Sequence, residues 1–364
     1  MPKLQVALIG CGNIANGHMR GIREHLDRVD VIGAVDVDES RACEFAERYD
    51  IPYYYTKSTA LLKAQKPDFV VITSPSGDHF ENCIQSLEAG AHVLCEKPLA
   101  GSLAQLDQIE AVAQRMGRTC TSVLQWRYGS SGQYVKRLIE QNKLGLPRVG
   151  ICQTTWFRDA NYYETPWRGK WATELGGVSM TLGIHAMDFF LWLMGEWVEV
   201  SGTIRTLDRD IEVENISLAH VQFRNGALAS VINSALSPRQ ESYIRIDCQK
   251  ATLELQHLYG YRGDNWTFTL PPSEAENDEL KQLLTLPEND VPATIPAQFE
   301  VVLGALERGE TPWPSVADVR PTIEFLTCMY KSAFVGQPVK RGSILPGDPF
   351  YLSMNGKTDL PGSR

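Results

Sequence analysis

Lys97 stands in Glu96-Lys97-Pro98, directly after the apolar run His92-Val93-Leu94-Cys95. A lysine held at the end of a buried strand can donate a proton to a substrate oxygen or polarise it. By itself it is equally at home as a solvated surface group, as most lysines are. His185 opens another apolar run that continues through Phe189, Phe190, Leu191 and Leu193. A lone histidine there is more often a satisfied core group than a reactive one, and Asp188 reads as a group that positions others. A third stretch binds rather than reacts. Gly10-Cys11-Gly12-Asn13-Ile14-Ala15 follows the apolar run from Leu4 to Ile9. Gly10 can take a tight turn, Gly12 lets backbone approach a ligand, and Ala15 is small enough for helix to pack on strand. The helix that follows offers free N–H groups and its positive dipole end to an anion, most naturally a pyrophosphate. Asp36 closes the next apolar run, twenty-one residues after Ala15. A dinucleotide fold places there the carboxylate that accepts hydrogen bonds from the adenine ribose. Val37 and Asp38 come next, with no arginine ready for a 2′-phosphate, so NAD is expected in preference to NADP.

The elements that must position these residues follow from the hydrophobic pattern. Buried strands are predicted at 4–9, 31–35, 68–72, 92–95 and 121–124, with a short one at 52–55. Helical patterns fill the intervals: from the glycine turn to about residue 26, from 38 through 46, around Leu61 and Leu62, over 78–87 and over 103–116. Such alternation means an α/β domain with a doubly wound parallel sheet, a Rossmann-type dinucleotide fold. Ligands bind such sheets at the carboxyl ends of the strands. Two loops lie at such ends, Thr73-Ser74-Pro75-Ser76-Gly77-Asp78-His79 and Cys95-Glu96-Lys97-Pro98-Leu99. The pattern then changes. After a helix at 133–141 come strands at 148–157, 198–205, 216–223, 227–233, 243–247 and 252–256, many with period-two alternation. Arg224-Asn225-Gly226 marks a hairpin turn. This is a second, α+β domain with a large, mainly antiparallel open sheet. Helices at 297–308 and 315–334 close the chain, and 271–291 reads as a surface excursion. The expected division is 1–125 and 126–364, with the final helices able to pack back on the first domain.

The chain has 364 residues, 43% hydrophobic and 22% charged, enough for two domains with real cores. A formal net charge of −9, with no basic run interleaved with aromatics, argues against nucleic acid as a partner. No stretch is expected to reach the length of a membrane span, and Met1-Pro2-Lys3 leads into the first strand without a signal peptide. The eight cysteines form no Cys-x-x-Cys pair, which suits reduced thiols in a cytoplasmic protein. No metal site is expected.

Taken together, Glu96-Lys97-Pro98, Ser74-Pro75-Ser76 with His79, and Gly176-Gly177 leading to His185 and Asp188 resemble the glucose–fructose oxidoreductase/inositol dehydrogenase (Gfo/Idh/MocA) family over essentially the whole chain. The resemblance implies a Rossmann domain that holds NAD(P) and a C-terminal domain that supplies substrate contacts and often the oligomer interface, hence a homodimer or homotetramer. It implies that Lys97 is the catalytic lysine and His185 the active-site histidine. Gly10, Gly12, Asn13, Ile14, Asp36, Ser74, Pro75, Ser76, His79, Glu96, Lys97, Trp167 and Arg168 are then expected at the cofactor. Arg127, Tyr163 and Thr181, with Lys97 and His185, are expected at the substrate. Thr181 replaces the aspartate that many polyol and sugar dehydrogenases of the family carry four residues before the histidine, and Leu175 interrupts the usual glycine triplet. Tyr162-Tyr163, Trp167-Arg168-Gly169 and the stretch from Asp210 to Asn215 resemble members that act on pyranosides and nucleotide-linked sugars, often at carbon 3.

The expected activity is therefore hydride transfer between NAD and a secondary alcohol or ketone of a sugar-like substrate, with either Lys97 or His185 as the principal acid–base group and Lys97 favoured because position 181 has no carboxylate. An inositol or dihydrodiol dehydrogenase is the alternative within the same chemistry. A non-catalytic, NAD-binding sensor is the alternative outside it, since fold alone does not exclude one.

Overall fold

The computed structural model describes residues 2–286 and 288–357. The chain divides into two compact units. The first comprises residues up to Val123 together with Ile295–Ile323, and the second Leu124–Thr294 together with the residues from Glu324 on.

In the first unit, six strands form one parallel sheet: β1 (Leu4–Ile9), β2 (Val29–Val35), β3 (Tyr54–Tyr55), β4 (Phe69–Ile72), β5 (His92–Cys95) and β6 (Cys120–Ser122). Helices α1 (Asn13–Arg23), α2 (Glu39–Tyr49), α3 (Ser58–Gln65), α4 (His79–Glu88) and α5 (Leu103–Met116) connect them. The strand order is β3-β2-β1-β4-β5-β6, so the winding reverses between β1 and β4. Ligands bind this topology at the carboxyl ends of the strands beside that reversal. β4 is buried along its length, as a strand covered on both faces must be. Asp38 accepts from Ser40 N and Arg41 N and caps α2, while Ser102 caps α5.

Helix α6 (Ser130–Glu140) opens the second unit. Its sheet has eight strands: β7 (Pro147–Phe157), β8 (Trp197–Arg205), β9 (Ile216–Phe223), β10 (Leu228–Ser234), β11 (Leu236–Cys248), β12 (Thr252–His257), β13 (Trp266–Thr269) and β14 (Val339–Lys340). Their order is β13-β12-β11-β7-β10-β9-β8-β14, antiparallel except for β7 beside β10. The hairpin between β9 and β10 turns at Arg224-Asn225-Gly226, where Gly226 takes φ +84°. A short α7 (Trp171–Glu174) and a π-helical turn at Ser179–Gly183 precede α8 (Ile184–Met194), which lies on β7 and β11. Gly150 on β7 makes that approach possible, since a β-carbon there would sit 2.5 Å from Phe190 Cζ. The stretch 171–194 is long and apolar enough to span a membrane by composition, contrary to the sequence expectation, but most of it is buried in the core. Helix α9 (Asp278–Leu283) lies in the predicted excursion.

The domain boundary differs from the sequence expectation in one respect. Helix α10 (Ile295–Glu307) and the first part of α11 (Val316–Val335) belong to the first unit, so the segment 126–364 is not one body. The reason is burial. Phe299 is fully buried and tilts against Phe69 of β4 with ring centres 6.1 Å apart. Gly21 of α1 admits the helix, because a β-carbon there would lie 3.0 Å from Pro296 Cα. Arg28 then binds Glu300 at 2.6 Å and Glu307 at 2.7 Å. The first helix also ends at Arg23 rather than near residue 26. The strands at Trp266–Thr269 and Val339–Lys340, too short for a periodic signal, were not anticipated. Finally, α12 spans Pro349–Leu352.

Truncating a buried phenylalanine to alanine costs about 3–5 kcal/mol. Phe299→Ala is therefore expected to lower the unfolding free energy of the first unit by about that amount, read as a lower urea midpoint, and to weaken NAD binding with it, both measurable on one preparation. An unchanged midpoint would show that α10 is not part of that core.

Candidate active site

The glycine turn is built by close backbone packing. Gly10 takes φ +102°, and a β-carbon on it would lie 2.5 Å from Ser74 N. Only glycine satisfies both demands. Gly12, at the N-cap of α1, has nothing within 4 Å of the β-carbon position, so a ligand can come up to the backbone there. Asn13 and Ile14 follow, both exposed, in the first turn of the helix. Asp36, at the end of β2, is buried and accepts from Cys11 N at 3.0 Å and Asp38 N at 3.1 Å. An anion-binding helix end, an open glycine and a fixed carboxylate suit the pyrophosphate and adenine ribose of a dinucleotide. The residues present fit NAD. Arg41, missed in the sequence because it lies on α2, pairs with Asp36 at 3.3 Å and with Asp38 at 3.5 Å.

Lys97 follows β5 and is half-buried. Its position is fixed by its neighbour. Glu96 Oε2 accepts from Lys97 N at 3.2 Å, and Glu96 Oε1 accepts from His18 Nε2 of α1 at 2.9 Å. One carboxylate thus ties the lysine loop to the helix of the glycine turn. His79 ties it to the other loop. Its Nδ1 lies 2.7 Å from Pro98 O and its Nε2 2.9 Å from Ser74 O. The ring is buried and its nitrogens lie beside carbonyls of both loops, so His79 braces the two loops. Burial pushes its pKa down against the pull of those carbonyls. Ser74 and Pro75 are half-buried at the end of β4, and Ser76 is buried in the turn that leads to α4.

In the second unit, His185 is buried between rings: Trp126 stacks with it at 6.0 Å and Tyr259 meets it edge-on at 5.8 Å. Its backbone is set by the π-helical turn before it, and that turn is held by a carboxylate. Glu214 is buried and accepts from Gly177 N at 2.9 Å, Ser179 N at 3.0 Å and Tyr330 OH at 2.8 Å. Burial raises the Glu214 pKa, opposed by these donors. A β-carbon on Gly177 would sit 1.7 Å from Glu214 O. Leu175, where the family pattern has glycine, takes φ +67°, a left-handed backbone that a β-carbon disfavours. Thr181 donates from Oγ1 to Gly177 O at 2.8 Å.

Arg127, expected at the substrate, is buried and gives its Nε and one terminal amine to Asp188 at 2.7 and 2.5 Å. That pair holds α8 to the turn at Gln125–Tyr128, so Arg127 is a positioning residue. Trp167 and Arg168 lie in the second unit, with the guanidinium 4.3 Å from the Trp167 ring centre and 3.8 Å from that of Tyr162. Arg168 also pairs with buried Glu174 at 3.2 Å, and Glu174 accepts from Gly169 N at 2.6 Å. Tyr163 meets Tyr162 edge-on at 5.0 Å, and burial pushes its phenol up to about 12. Glu214, Tyr330, Glu174 and Tyr259 carry no sequence signal of their own, since each is recognised only by what it touches. Among the described residues no group of three or more His, Cys, Asp or Glu can hold a metal ion.

Comparison with known proteins bears on both units. Residues 4–123 match the model described as the GFO/IDH/MocA oxidoreductase family, NAD-binding Rossmann fold, and residues 133–254 match its GFO/IDH/MocA C-terminal domain. The chain is 25% identical over 308 residues to D-glucoside 3-dehydrogenase of Escherichia coli, covering 79% of this chain and 83% of that protein. It is 23% identical to D-apiose dehydrogenase of Paraburkholderia graminis, covering 95% and 92%. The crystal structure of the WlbA dehydrogenase of Chromobacterium violaceum, in complex with NADH and UDP-GlcNAcA, superposes with a TM-score of 0.82 at 28% identity, covering 94% of this chain and 97% of that one.

Two measurements test this geometry. Gly177→Ala has no room for its methyl group, so it should destabilise the second unit by more than about 2 kcal/mol in urea and cut turnover, with NAD affinity retained. A variant as stable and active as the parent would refute the clamp. His257 meets Trp126 edge-on at 4.3 Å, and burial pushes its pKa down from 6.5 to about 4. The unfolded chain takes up that proton first as the pH falls, so the stability is fully present above pH 6.5 and is lost towards pH 4. The loss amounts to about 3 kcal/mol, at about 1.4 kcal/mol per tenfold. His257→Phe should flatten that part of the stability–pH curve, and an unaltered curve would assign the acid loss elsewhere.

Proposed function

Because the chain belongs to the Gfo/Idh/MocA oxidoreductase family, we propose that it transfers a hydride between NAD and a secondary alcohol of a sugar-like substrate, a pyranoside or nucleotide-linked sugar oxidised or reduced at carbon 3. The observation that carries this reading is the fixed placement of Lys97, held through Glu96 to the helix that follows the glycine turn.

NAD, when bound, accepts the hydride in oxidation and returns it in reduction. Gly12 and the first turn of α1 would hold its pyrophosphate, and Asp36 its adenine ribose. Lys97 hydrogen-bonds the substrate oxygen and takes its proton as the carbonyl forms; in the reverse direction it gives that proton back. In the second unit, His185 is the substrate-orienting group of this reading, with its ring plane fixed by Trp126 and Tyr259. Thr181 has no carboxylate to offer and is engaged with Gly177 O, which leaves the proton to Lys97. The relatives named above are a glucoside and an apiose dehydrogenase, and the structural neighbour holds a UDP-sugar, which supports a sugar-like substrate. A cytoplasmic homodimer or homotetramer is part of this reading.

The test is single turnover with NAD or NADH against pyranosides, nucleotide-linked sugars, their 3-keto forms and inositols. Lys97→Met should lower hydride transfer by about 10²–10⁴-fold, the usual worth of a general acid–base group, with NAD affinity nearly unchanged. Retained transfer in that variant removes the assignment of Lys97. Tight NAD binding with no transfer to any of these substrates supports a sensor instead.

A further inference from the structure

We propose that the second unit carries an oxyanion-binding box centred on Arg158 and Arg209, and that the sugar-like substrate carries an anionic group, a phosphate, diphosphate or carboxylate, that docks there. This rests on the hydride-transfer reading and narrows its substrate to acidic sugars.

The box is built where β7 ends. Arg158 Cζ lies 5.1 Å from the ring centre of Trp156 and 5.2 Å from that of Tyr162. Arg168 lies over the same Tyr162 ring at 3.8 Å, so two guanidinium groups share one aromatic side chain. Arg209 joins them by donating to Arg158 O at 3.1 Å, and its Nε is buried with no acceptor. The charges are unequally compensated. Arg168 has Glu174 at 3.2 Å. Among the described residues, the hydrogen-bond partners of Arg158 are neutral oxygens: Phe157 O at 2.7 Å, Gln240 Oε1 at 3.3 Å and the Tyr162 hydroxyl. Among the described residues, neither Arg158 nor Arg209 forms an ion pair with a carboxylate. Guanidinium groups held by aromatic rings and lacking a carboxylate are pre-organised for a planar or tetrahedral oxyanion, which takes two parallel N–H bonds from one fork. A neutral inositol makes no use of that charge.

The box is also joined to the reacting residue. Trp156 and Tyr259 have ring centres 6.1 Å apart, and Tyr259 meets His185 at 5.8 Å. Two rings therefore separate Arg158 from His185. Tyr163, expected at the substrate, feels the charge of both Arg209 and Arg168.

The experiment is titration calorimetry on the full chain saturated with NAD. The probes are UDP, glucose 6-phosphate, glucuronate and neutral methyl β-glucopyranoside, each at low and high salt. At least one anionic probe should bind more tightly than the neutral glycoside, and more weakly at high salt. Arg158→Met and Arg209→Met should each weaken that probe about 10- to 100-fold, as loss of a charged hydrogen bond does, while Arg158→Lys recovers part of it. Which probe responds separates a nucleotide diphosphate from a sugar phosphate and from a sugar carboxylate. Absence of binding by all three anions, or equal binding to the Met variants, overturns the proposal. So does a loss of NAD affinity in Arg158→Met, which would assign the arginines to the cofactor. Arginine-dependent anion binding without hydride transfer would sink the dehydrogenase reading and leave the box standing. Transfer to a neutral glycoside that is indifferent to both Met variants would do the reverse.

Discussion

The carboxylate of Glu96 is the constraint on which the chemistry of the first unit depends. One oxygen accepts from the backbone of Lys97 and the other from His18 on the helix of the glycine turn. A buried carboxylate with both oxygens engaged is costly to leave unpaired, so the lysine loop and the dinucleotide helix are held in one arrangement. His79 adds a second brace by spanning Ser74 O and Pro98 O. The loops after β4 and β5 are thus fixed by ionisable side chains that lie inside the protein. The proposed role of Lys97 as proton carrier would need that rigidity, because a small displacement of a reacting group costs much of the rate.

The second unit solves the same problem with different residues. Glu214 gathers two backbone amides and a tyrosine hydroxyl at the π-helical turn, and the turn leads directly into the helix that opens near His185. Turns of this kind recur at functional sites because they re-aim the side chains that follow. Asp188 and Arg127 fix the next turn of the helix. In both units a buried carboxylate organises backbone beside a residue that the sequence singled out, Lys97 in the first and His185 in the second.

The arginines near the end of β7 obey a different rule. Arg127 and Arg168 are each paired with an acid of their own unit, so their charges serve the fold. Arg158 rests on two rings and neutral oxygens, Arg209 donates to a backbone carbonyl, and among the described residues neither pairs with a carboxylate. Family membership leaves the sugar open, since relatives of comparable identity act on a glucoside and on apiose.

Much of this was legible in the amino-acid order because it depends on near neighbours. The alternation of apolar runs and helical patterns determined the parallel sheet, and glycine at positions 10 and 12 with Asp36 determined the dinucleotide site, since turn geometry and strand length are local properties. Lys97 at a strand end and the hairpin at Gly226 are local in the same sense. What tertiary structure alone decided is whatever depends on contact between distant residues. The return of α10 to the first unit follows from the burial of Phe299 against Phe69, which no periodicity records. Arg127 looked like a ligand and proved to be an ion-pair partner, because its acid lies sixty-one positions away. Glu214 sits in a stretch that sequence connected only with substrate, yet it holds the backbone of the π-helical turn. Sequence names the side chains able to do chemistry; burial and pairing determine which remain free to do it.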